Sequence, residues 1–157
     1  MPSVHASAVL VGARAVLIRG PSGAGKSRLA LALLGAAQRG ELPFVRLVAD
    51  DRSQLEPRHG RLLVRPAPPL AGLIEAHGLG IRRLPYEPVA VVGLVVDLAA
   101  VDGARLPAQT SVRVTIDGVE LARLAVAPDA DPLPLVVTAL ATASSPNPYY
   151  SAAETEN

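Results

Sequence analysis

Residues 20 to 27 constrain this chain more than any other stretch of its sequence. They read Gly20-Pro-Ser-Gly-Ala-Gly-Lys-Ser27 and match the pattern G-x-x-x-x-G-K-[ST] at every fixed position. The apolar run Ala15–Ile18 precedes them and predicts a strand, and leucines at helical spacing follow from Ser27. A strand, a glycine-rich loop and a helix in this order predict a nucleotide-binding core.

The parts of this loop are expected to have separate roles. Glycines let successive backbone N–H groups point at phosphate oxygens, and the helix adds the positive end of its dipole. Lys26 is expected to reach the terminal phosphates of ATP, and the Ser27 hydroxyl to ligate Mg²⁺. Hydrolases, kinases, switches and transporters share such loops, so the reaction stays open at this point. The residues predicted to bind the nucleotide are Gly20, Pro21, Ser22, Gly23, Ala24, Gly25, Lys26 and Ser27.

The rest of the chain predicts more strand than helix. A strand at 6–11 and the turn Gly12-Ala13 predict an opening hairpin, and Asp117-Gly118 predicts a second one between 111–116 and 119–126. The fold class is therefore α/β, a P-loop core with a mixed β-sheet and an added antiparallel hairpin. The other predicted elements are strands at 44–49, 62–64 and 89–98, a short helix or turn at 70–76 and a helix at 135–143.

Length and composition limit the classes of protein that remain. The 157 residues suit one domain, which we expect over 1–143, followed by a disordered tail at 144–157. The net charge of +1 and the scattered arginines show no basic stripe, so nucleic acid is not an expected partner. There is no cysteine, no export signal and no apolar run of membrane-spanning length, which predicts a cytoplasmic protein without a membrane partner. The single lysine, Lys26, lies inside the loop.

Asp50 and Asp51 end a predicted buried strand about one strand-helix unit after the loop. A sheet can place such a pair beside bound phosphates, where one carboxylate orients Mg²⁺ or its water and the other accepts a proton. The alternative is an aspartate pair that caps a turn. By the residues alone, His5 and His59 are ordinary surface histidines, and Glu75-Ala-His77-Gly-Leu-Gly80 is a turn, although its two glycines suggest a backbone that passes close to something.

Taken together, several motifs resemble the catalytic domain of the HPr kinase/phosphorylase family. They are His5-Ala6 before the first strand, the loop at 20–27, Leu47-Val-Ala-Asp-Asp51 and Leu73-Ile-Glu-Ala-His-Gly-Leu-Gly-Ile81. Their order and spacing fit the family over roughly residues 4 to 143. The resemblance is to the short forms that consist of the catalytic domain alone.

The resemblance implies a serine kinase that uses ATP and Mg²⁺ to phosphorylate HPr, a small phosphocarrier of the sugar phosphotransferase system, in a hexamer like that of longer relatives. It implies that Asp50 accepts the serine proton, that Lys26 binds the transferred phosphate, and that Ser27 and Glu75 hold Mg²⁺. It also places His5 in the catalytic site with Asp51, as a hydrogen-bonding partner of the acid pair.

Two features depart from the family pattern. His77 stands where the second signature usually has an arginine, and Ala127–Pro132 has no match to the family segment that carries a catalytic arginine and is tied to phosphorolysis. Whether the chain also catalyses phosphorolysis therefore stays open. A nucleotide-binding regulator with weakened catalysis and a P-loop kinase of a small molecule remain the alternative functions.

Overall fold

The computed structural model describes residues 2–142, so the predicted tail at 144–157 lies outside the described residues. Neither helix in this range is long and apolar enough to cross a bilayer. Two short 3₁₀ turns occur at Pro68–Leu70 and Gln109–Ser111. The strands and helices are β1 (Ser3–Val11), β2 (Arg14–Arg19), α1 (Lys26–Gln38), β3 (Val45–Ala49), β4 (Arg52–Arg58), β5 (Arg61–Pro66), β6 (Leu73–Ala76), β7 (Gly80–Arg83), β8 (Ala90–Asp97), β9 (Arg113–Ile116), β10 (Val119–Ala125) and α2 (Pro132–Ala141).

The main sheet is mixed, as the sequence predicts. Strand β1 pairs antiparallel with β2 through the Gly12-Ala13 turn and antiparallel with β3 on its other side. On the far side of β2 follow β8 and β10, both parallel, and then β9, which forms the predicted antiparallel hairpin with β10. Because β3 and β2 are each antiparallel to β1, the chain runs in one direction in β3, β2, β8 and β10. Their carboxyl ends therefore meet at one edge of the sheet.

Strands β4 and β5 form a second layer that covers one face of the main sheet. The first residues of β1 pair with β4, β4 pairs with β5, and β5 pairs with the first residues of β8. Since β8 also pairs with β2, the five strands close into a ring. Side chains such as Leu17, Leu62, Val64 and Val95 are buried in the apolar cluster of these strands. No strand was predicted over β4, because its residues are mostly polar; in the structure only Ser53 among them is fully buried.

The helices cover the other face of the sheet. Helix α1 buries Leu29, Ala30, Leu33 and Ala36 in the second apolar cluster, and each fully buried leucine stabilises the fold by roughly 1.5–3 kcal/mol. Gly35 lies inside this helix, and Gly40 follows its end with a φ of 78°. Helix α2 begins earlier than predicted, because the Asp131 carboxylate accepts a hydrogen bond from the Leu133 N–H at 3.2 Å.

Residues 70–76 differ from the sequence expectation of a short helix or turn. After the 3₁₀ turn, Leu73–Ala76 pairs with Gly80–Arg83 as a separate two-stranded sheet. The pairing partner decides the conformation here, because a run of only four residues shows no period that distinguishes strand from helix. His77, Gly78 and Leu79 form the turn of this hairpin, as expected for residues 75–80, but a Cβ added to Gly78 or Gly80 would meet nothing within 4 Å, so the backbone does not pass close to another group there.

Candidate functional site

The Asp50 carboxylate is the centre of a hydrogen-bonded cluster at the carboxyl edge of the sheet. Asp50 directly follows the last residue of β3, and it is only 5% exposed. The hydroxyls of Ser7 and Ser27 both donate to Asp50 Oδ1, each at 2.7 Å, and the Glu75 backbone N–H donates to Oδ2 at 3.1 Å. The cluster thus joins β1, the start of α1, the end of β3 and strand β6.

Local backbone geometry holds the two aspartates in opposite environments. Asp51 has a φ of 65°, an uncommon left-handed conformation for a residue other than glycine, and the Arg52 N–H donates to the Asp50 carbonyl at 2.7 Å. The Asp51 N–H donates to the Ser7 hydroxyl at 3.2 Å, so Ser7 holds both residues. As a result Asp50 is buried, whereas the side chain of Asp51 is 64% exposed.

The predicted phosphate loop connects β2 to α1 as expected. Gly25 precedes the helix with a φ of 99°, no side chain caps the helix, and its first turn holds no acidic residue. The first N–H groups of a helix have no intrahelical acceptor, so this terminus suits an anion. The Lys26 ammonium donates to the carbonyls of Gly20 at 2.8 Å and Pro21 at 3.2 Å, which places its charge over the loop.

An arginine–aspartate network fixes the strand ends on the other side of the loop. Arg19, the residue before the loop, donates two hydrogen bonds of 2.8 Å to Asp97 at the end of β8. Arg123 donates to Asp97 at 2.6 Å and to Asp102 at 2.6 Å. Burial alone would raise the pKa of Asp97, but the hydrogen bonds and charges of Arg19 and Arg123 outweigh it and lower the pKa below its ordinary value.

His5 lies near Asp51 and not near Asp50. The distance from His5 Nδ1 to Asp51 Oδ1 is 3.8 Å, which is too long for a hydrogen bond, and both side chains are 64% exposed. His5 therefore makes no hydrogen bond to Asp51 in this geometry, and its place in the catalytic site stays a prediction. The β1–β4 register, in which His5 faces Arg52, brings the histidine beside Asp51 and allows an ion pair when it is protonated.

Glu75 reaches the cluster through its main chain. Its N–H bonds to Asp50, while its side chain is exposed on the β6–β7 hairpin. His77, in the turn of the same hairpin, is also exposed, and His59 lies exposed in the turn between β4 and β5, as expected. Of the predicted residues, the structure therefore brings together Ser27, Asp50 and the Glu75 backbone.

Comparison with known proteins gives a consistent relationship. No family model matches the chain. Over 80 residues it is 44% identical to proteins named HPr kinase/phosphorylase from Lacticaseibacillus casei strain BL23 and from Lacticaseibacillus paracasei; this stretch is 50% of the chain but only 23% of the relatives' length. Among solved structures it is similar to the Hpr(Ser) kinase/phosphatase from Coxiella burnetii, with a TM-score of 0.69 and 25% identity over 90% of this chain and 89% of that one. The chain thus resembles HPr kinase/phosphorylases in sequence over half its length, and the Hpr(Ser) kinase/phosphatase in structure over 90% of it.

Sequence reasoning missed two residues that hold the site together. Ser7 lies in a continuously buried stretch of β1 and carries no local sequence signal, and only the pairing of β1 with β3 shows that its hydroxyl serves both aspartates. Asp97 could have been found from the sequence. It ends the strongly hydrophobic strand β8, and an aspartate in that position is expected at the same edge of the sheet as the loop.

Replacing Ser7 with alanine is expected to lower the free energy of unfolding by about 1–3 kcal/mol. The change removes a buried donor to Asp50 and leaves the Asp51 N–H without its acceptor. Urea unfolding measures the difference, and Ser22→Ala, at an exposed position of the loop, is the control. Equal stability of the two variants would contradict the role assigned to Ser7.

Proposed function

We propose that this chain is a protein-serine kinase that transfers the γ-phosphate of ATP, with Mg²⁺, to a serine of HPr or of a similar small phosphocarrier. The names of the relatives supply the substrate, and the cluster around Asp50 supplies the chemistry. The observation that carries the proposal is the 2.7 Å hydrogen bond from the Ser27 hydroxyl of the loop to a buried carboxylate. It joins the proposed phosphate site to the only group in this cluster that can accept a proton.

The loop and α1 are proposed to bind the triphosphate. Backbone N–H groups of residues 20–27 and the uncapped start of α1 suit the phosphate oxygens. Lys26 is proposed to exchange its two loop carbonyls for the phosphates, which are stronger partners because they are charged. Phosphoryl transfer needs mainly positioning and charge neutralisation, and these residues provide both.

The residues around Ser27 fit a magnesium ion. The Ser27 hydroxyl donates its proton to Asp50 and keeps its oxygen lone pairs free, and Mg²⁺ prefers such oxygen ligands. Within residues 2–142 no cluster of three or more histidine, cysteine or acidic side chains could hold a metal by itself, which suits an ion held partly by substrate phosphates. We propose that Ser27 and Glu75 hold it. When bound, the ion would neutralise the charge of the β- and γ-phosphates.

Asp50 is proposed to accept the proton of the attacking serine. Its Oδ1 is occupied by two hydroxyls, whereas Oδ2 accepts only the Glu75 N–H and retains a lone pair. Fixed hydrogen bonds on one oxygen orient the carboxylate without removing its basic site on the other. Exposed Asp51 and His5 are proposed to lie beside the incoming substrate at the mouth of this site.

The proposal concerns the forward transfer. Residues 127–132, which connect β10 to α2, contain no arginine that could neutralise a leaving group in the reverse reaction. A cytoplasmic location and a hexameric assembly remain predictions.

The test is transfer of γ-³²P from ATP with Mg²⁺ to purified HPr. Lys26→Ala is expected to abolish labelling, because the variant removes the charge proposed to bind the transferred phosphate. Arg61→Ala removes an exposed cation at the opposite edge of the sheet and is expected to label HPr normally. Nucleotide binding by the wild type without any labelled HPr would exclude the kinase and favour a nucleotide-binding regulator.

A further inference from the structure

A cleft of about 350 Å³ lies directly beside the phosphate loop. One wall is formed by the loop itself, residues 21–24. The other walls are formed after β8 by residues 98–99, after β10 by residues 126–128 and Ala130, and at the start of α2 by Pro132. Its volume falls within the range of about 300–1,000 Å³ for small-molecule sites. The position suits the part of a nucleotide that extends beyond the phosphates.

The side chains around this cleft offer almost no hydrogen bonds. Of the eleven described residues that line it, Ser22 alone has a polar side chain, and the others are alanine, proline, glycine, leucine or valine. Neighbouring charged residues do not fill this gap: Asp129 is not among the lining residues, and the Asp131 carboxylate caps α2. The walls can therefore contact a base or sugar through apolar surface.

Several backbone groups of the cleft already have hydrogen-bond partners. The Val126 N–H donates to the Asp97 carbonyl and the Val126 carbonyl accepts from the Ala100 N–H, both at 2.8 Å. The Leu98 N–H donates to the Arg19 carbonyl at 2.9 Å, and the Ala127 carbonyl accepts from the Ala130 N–H at 3.1 Å. These groups are not free to read the edge of a base.

The two segments also hold each other in place. Residue 99 is an alanine with a φ of 51°, a conformation that persists only where the surroundings fix it. A Cβ added to Gly103 would lie 2.6 Å from the Ala127 nitrogen, so the segment after β8 packs closely against the segment after β10. The cleft is thus a preformed shape and needs no closure to exist.

We infer that this cleft takes the nucleoside end of the phosphoryl donor and does not distinguish one base from another. The inference rests on the proposed function, because it assigns the triphosphate to the adjoining loop. Discrimination of about 10⁴–10⁵ requires a site that hydrogen-bonds the distinguishing group, whereas apolar contacts alone discriminate weakly. The donor is therefore selected by its phosphates, and the purine or pyrimidine ring adds affinity without selectivity.

Isothermal titration calorimetry of the wild type with the magnesium complexes of ATP, GTP, CTP and UTP tests the inference. We expect four dissociation constants within about tenfold of each other, and serine transfer from all four donors. A preference for one base greater than tenfold, with ATP-dependent transfer intact, would overturn the inference and leave the kinase proposal standing. Failure of every nucleotide to bind would overturn both.

A cleft-filling variant locates the nucleoside. Ala130 is exposed at the rim, so Ala130→Trp can occupy the cleft without entering the core, and it is expected to weaken all four nucleotides at least tenfold and by similar factors. Ala139→Trp places the same side chain on the exposed face of α2, outside the cleft, and is expected to leave binding unchanged. Unaltered binding in a folded Ala130→Trp protein would show that the nucleoside lies elsewhere. The wild-type comparison of bases stands independently of either variant.

Discussion

Replacing Asp50 with asparagine is expected to slow serine phosphorylation by about 10²–10⁴-fold while ATP still binds. The amide is nearly the same size as the carboxylate but cannot accept the serine proton. Its oxygen can accept the Glu75 N–H while its NH₂ group donates to the hydroxyls of Ser7 and Ser27, which can rotate to accept. The fold should therefore tolerate the change, and the loss should fall on the chemical step.

Two measurements on the same protein separate chemistry from binding. Initial rates of ³²P transfer to HPr report the first, and titration calorimetry with ATP reports the second. Asp117→Asn, in the exposed β9–β10 turn at the other edge of the sheet, is the matched control and should retain full activity. Undiminished transfer by Asp50→Asn would remove Asp50 from the role of proton acceptor, and complete loss of ATP binding would make it a nucleotide-site residue instead.

Replacing Asp97 with asparagine is expected to lower the free energy of unfolding at pH 7 by about 2–3 kcal/mol, between the values typical of exposed and buried pairs. The Asp97 side chain is 15% exposed and accepts hydrogen bonds from both Arg19 and Arg123. Without the carboxylate, two guanidinium groups lose their shared counter-charge next to the loop. Glu120→Gln, which removes an exposed partner of Arg113, should cost no more than about 1 kcal/mol.

The effect of Asp97 should depend on pH in a defined direction. Its pKa in the fold is lower than in the unfolded chain, where an aspartate titrates near 3.9. Its stabilisation is therefore fully present above that unfolded value and is lost as the pH falls through the lower folded value. Urea unfolding of wild type and Asp97→Asn should show a constant difference from pH 7 to about 5 and a shrinking difference below about 4. A difference that grows on acidification would contradict the network.

Local signals accounted for the elements that carry their own pattern. The strand-loop-helix around residues 20–27 was predictable because glycine spacing, an apolar run and leucine periodicity agree. The two hairpins at 12–13 and 117–118 followed from turn residues, and the strand ending at Asp50 from its apolar run. Strand β4 was not predictable, because its polar residues become a strand only by pairing with β1 and β5 at once. The β6–β7 hairpin was missed because a run of four residues is too short to show a period that distinguishes strand from helix.

The sequence by itself determined the loop, the order of its neighbouring elements and the aspartate at the end of β3, since each depends on residues close together in the chain. Tertiary structure alone decided how these parts meet. Ser7 and Asp50 are 43 residues apart, and Arg19 and Asp97 are 78 apart, yet each pair is hydrogen-bonded. Tertiary structure also decided that His5 lies beside Asp51 and that the Glu75 backbone N–H bonds to Asp50. Such contacts depend on strand register, and register follows from the burial of whole sheet faces rather than from any local residue pattern.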